Sequence, residues 1–155
     1  MPQLLLFAPF DKVIVGRADN AVSLISSIET VSTVVPQGVE VPPNAMLPIR
    51  WFIAAMFRRL HEDEGKTYEQ IVHLVLPDGK PRIVGTVQFE ITGKIHRTVT
   101  EVEGLPVGQA GDCLLQLWLR DLSENASPVL VVEYPMSITH DAEDLEHTDT
   151  NHSCK

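Results

Sequence analysis

Positive charge is scarce in this chain. Its 155 residues carry 12 Lys and Arg against 21 Asp and Glu, a formal net charge of −9. Part of the excess is local. Residues 139–155 hold five acids (Asp141, Glu143, Asp144, Glu146, Asp149) and one base (Lys155), which leaves 16 acids and 11 bases, or −5, for the rest. A body of that sign has no basic footprint, which argues against nucleic acid or an anionic membrane as the main partner. Cysteine is scarcer still: Cys113 sits in an apolar run and Cys154 is next to last in a polar tail. A disulfide between them would have to pin that tail, so both are expected as free thiols of a reducing compartment. No stretch approaches the roughly 18 apolar residues of a membrane span. The opening MPQLLLFAPF is apolar but short, lacks a basic start, and is followed by strand-like sequence rather than a cleavage site, so it reads poorly as a signal peptide. A cytoplasmic protein is expected. In that setting the acceptor patterns Asn125-Ala-Ser127 and Asn151-His-Ser153 are inert.

Catalytic signatures are missing too. There is no Gly-x-Ser-x-Gly, and the three glycines of GLPVGQAG have the wrong spacing for a phosphate loop and no following Lys-Ser or Lys-Thr. Cys113 falls on a wholly apolar strand face, where a thiol behaves as a small hydrophobe. Of the six histidines, His140, His147 and His152 share the tail with Asp141, Asp144, Asp149 and Cys154. Imidazole, carboxylate and thiolate form a zinc ligand set, but the intervals of seven and five residues contain no tight pair, and a solvated tail is the simpler reading. Asp19, Asp63, Asp78 and Asp121 lie in expected loops, where a C2-type calcium site would need several acids to converge; none has an Asp-x-Asp spacing. No cofactor, metal or catalytic residue is assigned.

What is present is alternation. In GTVQFEITGK, Val87, Phe89 and Ile91 alternate with Gln88, Glu90 and Thr92, the period-two pattern of a strand with one buried face. In GDCLLQLWLRD, Cys113, Leu115, Leu117 and Leu119 form one apolar face, opposite Leu114, Gln116, Trp118 and Arg120. VLVVEYPM behaves similarly. The turns fall where a meander needs them, at Arg17–Asn20, at Pro77-Asp-Gly79, at Gly111 and at 123–127.

WFIAAMFRRLHEDEGKTYEQ is the ambiguous segment. As a helix, residues 51–57 would be apolar all round, and MLPIR offers no capping side chain. As a strand, Trp51, Ile53, Ala55 and Phe57 face one way and Phe52, Ala54 and Met56 the other, as in a central strand. HEDEGKT then becomes an exposed hairpin loop whose His61, Glu62, Asp63 and Glu64 are solvent groups. The Pro-rich VVPQGVEVPPNAMLP is expected as a long connection between sheets, since it suits neither a helix interior nor a central strand.

The sum is an all-β chain: an antiparallel β-sandwich of about seven or eight strands over residues 1–138, with an acidic, disordered tail over 139–155. The succession DKVIV, NAVSLISSIETV, a Pro-broken connection, a strand, LVLPDGK, HRTVTEVEGLPV and a Gly-led strand resembles a bacterial family of small uncharacterised β-sandwich proteins, from about Phe7 to Ile138. The resemblance implies an immunoglobulin-like or C2-like fold; the family has no assigned activity, so it carries over no catalytic residues. The expected function is a non-enzymatic protein-interaction module, meeting a protein partner or another copy of itself. Gln116, Trp118 and Arg120 are the candidate interaction face, because Trp and Arg on one non-core face are residue types that carry interface energy. The rival readings are a metal- or small-ligand-binding domain using loop acids or tail histidines, and an enzyme whose site is assembled from residues far apart in sequence.

Overall fold

The computed structural model describes residues 1–16 and 21–142. Nine strands run through them: β1 Gln3–Val15, β2 Val22–Ser27, β3 Thr30–Val35, β4 Met46–Arg58, β5 Thr67–Val75, β6 Pro81–Glu90, β7 Ile95–Pro106, β8 Gly111–Asp121 and β9 Val129–Ala142. A single 3-10 turn, His61–Asp63, is the only helical element among the described residues. The strands form a four-stranded sheet in the order β2-β1-β4-β7 and a five-stranded sheet in the order β3-β9-β8-β5-β6. The two stack in a sandwich-like arrangement, and side chains from both line one core.

Alternation decides which side chains enter that core. On β8, Cys113, Leu115, Leu117 and Leu119 are at most 2% exposed, while the residues between them are half-buried. On β5 the inward set is Tyr68, Gln70, Val72 and Leu74. β4 lies between β1 and β7, so it is a central strand flanked on both edges; on its outer face Ala54 is buried while Phe52 and Met56 are half-buried. Its Trp51, Ile53, Ala55 and Phe57 belong to the main core, and Ala54 belongs to a second apolar cluster with Ala8 and Phe10.

Four expectations need correction. The strand count is nine, because AVSLISSIETV contains two strands: β2 pairs with β1, and β3 crosses to the other sheet. Ser26 takes the left-handed backbone conformation (φ 54°) near the break, which no Gly or Pro announces. The sandwich is not wholly antiparallel, since β3 runs parallel to β9. HEDEGKT is not a hairpin loop. It joins β4 in one sheet to β5 in the other, and Asp63 within it is fully buried rather than solvated. Finally, Met46, Leu47 and Pro48 extend β4 into the Pro-rich segment. A register shift between Leu47 and Arg50 places Pro48 at a bulge, where its missing N–H does not break a ladder bond. The rest of that segment does cross between the sheets, from β3 to β4.

β9 runs to Ala142, so Thr139, His140, Asp141 and Ala142 are strand residues paired with β3, not tail. The remainder of the expected tail, residues 143–155, and the expected turn at Arg17–Asn20 with its loop acid Asp19 lie outside the described residues.

One end of the core is aromatic. Phe57 and Phe89 stack with ring centroids 5.3 Å apart, and His96 lies nearly parallel on Phe89 at 4.5 Å. Burial pushes the His96 pKa below the usual histidine value, since it penalises the imidazolium. The neutral ring is therefore favoured by folding. Its stabilisation is fully present above the unfolded histidine pKa of about 6.5 and is lost as pH falls from there through the lower folded value. Melting temperatures of the native chain and a His96→Phe variant are expected to diverge below that point, the native chain falling faster. Parallel curves from pH 8 to pH 5 would count against this account.

Candidate functional site

Gln116, Trp118 and Arg120 share the outward face of β8, the middle strand of the five-stranded sheet. They are brought together as alternation requires, and the register of β5 and β9 supplies neighbours that alternation alone does not name. Across β5, Arg120 faces Glu69, Trp118 faces Ile71 and Gln116 faces His73. Across β9, Gln116 faces Glu133 and Trp118 faces Leu130, beside a one-residue bulge.

These neighbours lock the three side chains. Trp118 Nε1 donates to Gln116 Oε1 at 3.2 Å, and Gln116 Nε2 donates to Glu133 Oε1 at 2.7 Å. The indole is thus fixed by a chain of two side-chain bonds along one face. Its ring meets the His73 imidazole at a centroid distance of 6.0 Å and an angle of 47°. Arg58 and Arg97 stand on β4 and β7 of the other sheet. The arginine of the face is engaged with Glu69, whose side chain is 10% exposed against 36% for Arg120. Gln88 Nε2 donates to the other oxygen of Glu69 at 3.3 Å. Ile71, His73, Trp118 and Pro128 border a shallow apolar hollow of about 250 Å³.

The loop acids do not gather. Asp63 accepts from Tyr68 Oη at 2.7 Å and from the Leu60 N–H at 2.7 Å. Asp121 is salt-bridged to Lys66 at 3.1 Å and accepts from the Ser123 N–H at 2.9 Å. Burial raises the Asp121 carboxyl, but Lys66 and the Ser123 N–H outweigh it and hold the group below its usual value. Asp78 lies beyond the far end of β5 and pairs with Lys80 and Gln109. Among the described residues no group of three or more His, Cys, Asp or Glu is placed to hold a metal ion. His140 bonds the Val107 carbonyl at 2.6 Å, and His147, His152 and Cys154 fall outside the described residues. Cys113 is buried, and that burial raises its thiol pKa, away from nucleophilic reactivity.

Sequence reasoning missed His73, Ile71, Glu69 and Pro128 as members of this face. His73 and Trp118 are 45 positions apart and meet only through the β5–β8 register. The face combines an immobilised indole, apolar neighbours and an internally neutralised ion pair. No protein-family model matches the chain, and no curated protein matches it. No helix among the described residues is long and apolar enough to cross a membrane.

Proposed function

We propose that the protein is a non-enzymatic interaction module of the cytoplasm that binds protein through the outer face of its five-stranded sheet. The observation that carries this reading is the state of Trp118: half-buried, held in place by Gln116, and edged by Ile71, His73 and Pro128. A rigid, partly exposed Trp loses little conformational freedom on binding and offers a large contact area. The flanking Arg120–Glu69 and Gln116–Glu133 pairs give the polar surround that shields such an anchor from water.

We read the sandwich further as immunoglobulin-like, in keeping with the resemblance to small bacterial β-sandwich proteins. What supports this is the division of β1, β4 and β7 from β5, β8 and β9, which follows the A-B-E and C-F-G sets of that fold.

The test is Trp118→Ala, compared with the native chain by cross-linking in host lysate and mass spectrometry. Loss of the native chain's cross-linked partner, with an unchanged circular dichroism spectrum, is expected. A partner retained equally by both proteins would overturn the assignment of this face.

A further inference from the structure

Read along β8, the outward residues are Asp112, Leu114, Gln116, Trp118 and Arg120. The order is acid, apolar, polar, apolar, base. It is its own complement when reversed. A two-fold axis lying in the plane of the face and crossing the strands at Gln116 would lay a second copy of β8 antiparallel over the first. Arg120 of each copy then meets Asp112 of the other, Trp118 meets Leu114, and the two Gln116 meet at the axis.

The neighbouring strands follow the same symmetry. The axis row contains His73 on β5 and Glu133 on β9, both in register with Gln116. On one side of it lie Ile71 and Leu130, in register with Trp118; on the other lie Val75 and Pro135, in register with Leu114. The two-fold therefore sets Ile71 against Val75 and Leu130 against Pro135, apolar row on apolar row. Such self-complementarity is what an isologous contact between identical surfaces requires. Two juxtapositions are unfavourable: the two Glu133 carboxylates approach each other, and Asp112 of each copy meets an Arg120 already paired with Glu69 of its own sheet. Glu133 is exposed on β9 at a height β3 does not reach, at the rim of the face, where solvent screens the repulsion.

Size agrees with a reversible dimer. At about 3.4 Å per residue, Asp112 to Arg120 spans about 27 Å, and the four strands β9, β8, β5 and β6, about 4.8 Å each, cover about 19 Å; β3 reaches β9 only from Ser137 onward. The face is then about 500 Å² per copy, well under the roughly 800 Å² per partner of a standard stable interface, as a weak, reversible dimer requires.

We infer that the outer face of the five-stranded sheet is a homodimer interface, with a two-fold axis over Gln116 and reciprocal Arg120–Asp112 contacts. This rests on the reading of that face as the binding surface and names its partner as a second copy of this chain. The experiment is sedimentation equilibrium of the full chain, combined with site-directed cross-linking in a Cys154→Ser background. A concentration-dependent dimer is expected. Gln116→Cys, at the axis and about 10 Å from its own copy across the stacked sheets, is joined to it by a short bismaleimide cross-linker; Asp112→Cys, whose own copy lies far across the face, is not. Asp112→Arg sets two arginines face to face and weakens the dimer by about tenfold or more. Asp112 is exposed, so this variant leaves the fold intact, as a melting curve verifies. A monomer at every concentration up to several hundred micromolar overturns the inference, as does a dimer indifferent to Asp112→Arg or cross-linked equally at 112 and 116. If the chain is monomeric yet Trp118→Ala abolishes capture of another protein, the dimer fails and the binding face stands. If Trp118→Ala alters neither property, both fail.

Discussion

Replacing Trp51 with alanine is expected to lower the unfolding free energy by about 3–5 kcal/mol, the range for removing a large aromatic side chain from a packed core. The indole is 1% exposed and belongs to the main core between the two sheets. Two losses combine. The first is apolar burial together with the cavity left behind, which neighbouring strands locked in two sheets can fill only in part. The second is a hydrogen bond: Trp51 Nε1 donates to the Gly104 carbonyl at 3.0 Å. Gly104 stands on β7 opposite the β4 bulge, between the paired Leu47–Leu105 and Arg50–Glu103. The bulge leaves Gly104 without a register partner on β4, and the indole supplies a donor to its carbonyl. Gly104 itself has φ +77°, and an added Cβ would meet Met46 Cε at 2.9 Å, so the strand is committed to this local shape. Urea denaturation followed by circular dichroism measures the loss. Trp51→Phe separates the two contributions: it keeps most of the burial and orphans the carbonyl, for about 1–3 kcal/mol. If Trp51→Ala costs under about 1 kcal/mol, the site does not carry the core in the way described.

Much of this architecture is legible in the chain because a half-buried strand writes its two faces into alternate positions. β8 is the clear case: every second residue from Cys113 to Leu119 is buried, and Gln116, Trp118 and Arg120, which suggested an interaction face, share the other side. β4 is legible for the opposite reason. Its run from Trp51 to Phe57 lacks a polar stripe, and the strand is flanked on both edges, buried on its inner face and partly covered on its outer one.

Pairing is not written in the same way. Alternation says which face a residue takes and nothing about which strand lies beside it. The association of Trp118 with His73 depends on a register in which His73 faces Gln116. The break between β2 and β3 is hidden because Ile25 to Val35 continues in β-favouring residues through a change of sheet. Buried polar groups are the third blind spot. Gln70 is 1% exposed in an otherwise apolar inward row, and it accepts from Thr98 Oγ1 at 2.7 Å across the two sheets. Inside the core that pair satisfies itself, and composition alone would assign both residues to solvent. Asp63 is the same error in a loop. Its position three residues after Leu60 is the spacing at which a short side chain caps a preceding backbone N–H, a signal that the surrounding charges conceal.

Asp63→Ala is accordingly expected to destabilise the fold by about 2–4 kcal/mol, although the residue stands amid four charged or titratable loop positions that read as surface. The carboxylate is fully buried, takes two hydrogen bonds and lies 3.5 Å from the N-terminal amine. It accepts from the Leu60 N–H at 2.7 Å, which closes the 3-10 turn after β4, and from Tyr68 Oη at 2.7 Å, which ties the turn to β5 in the opposite sheet. The Tyr68 side chain is itself fully buried, and burial, followed by the adjacent Asp63 carboxylate, raises its phenol pKa well above the usual tyrosine value, so it remains a donor across the working pH range. Alanine at 63 leaves both donors in the interior without an acceptor, and each such orphan costs about 1–3 kcal/mol. Tyr68→Phe removes one donor and keeps the Leu60 contact, so its effect is smaller. The double variant discriminates between a network and a packing effect. If the phenol bond is the principal link between the turn and β5, Asp63→Ala with Tyr68→Phe costs less than the sum of the single changes, because the orphaned hydroxyl is gone. Strict additivity in urea denaturation would show instead that Asp63 stabilises the turn alone, and that the connection from β4 to β5 is held by packing.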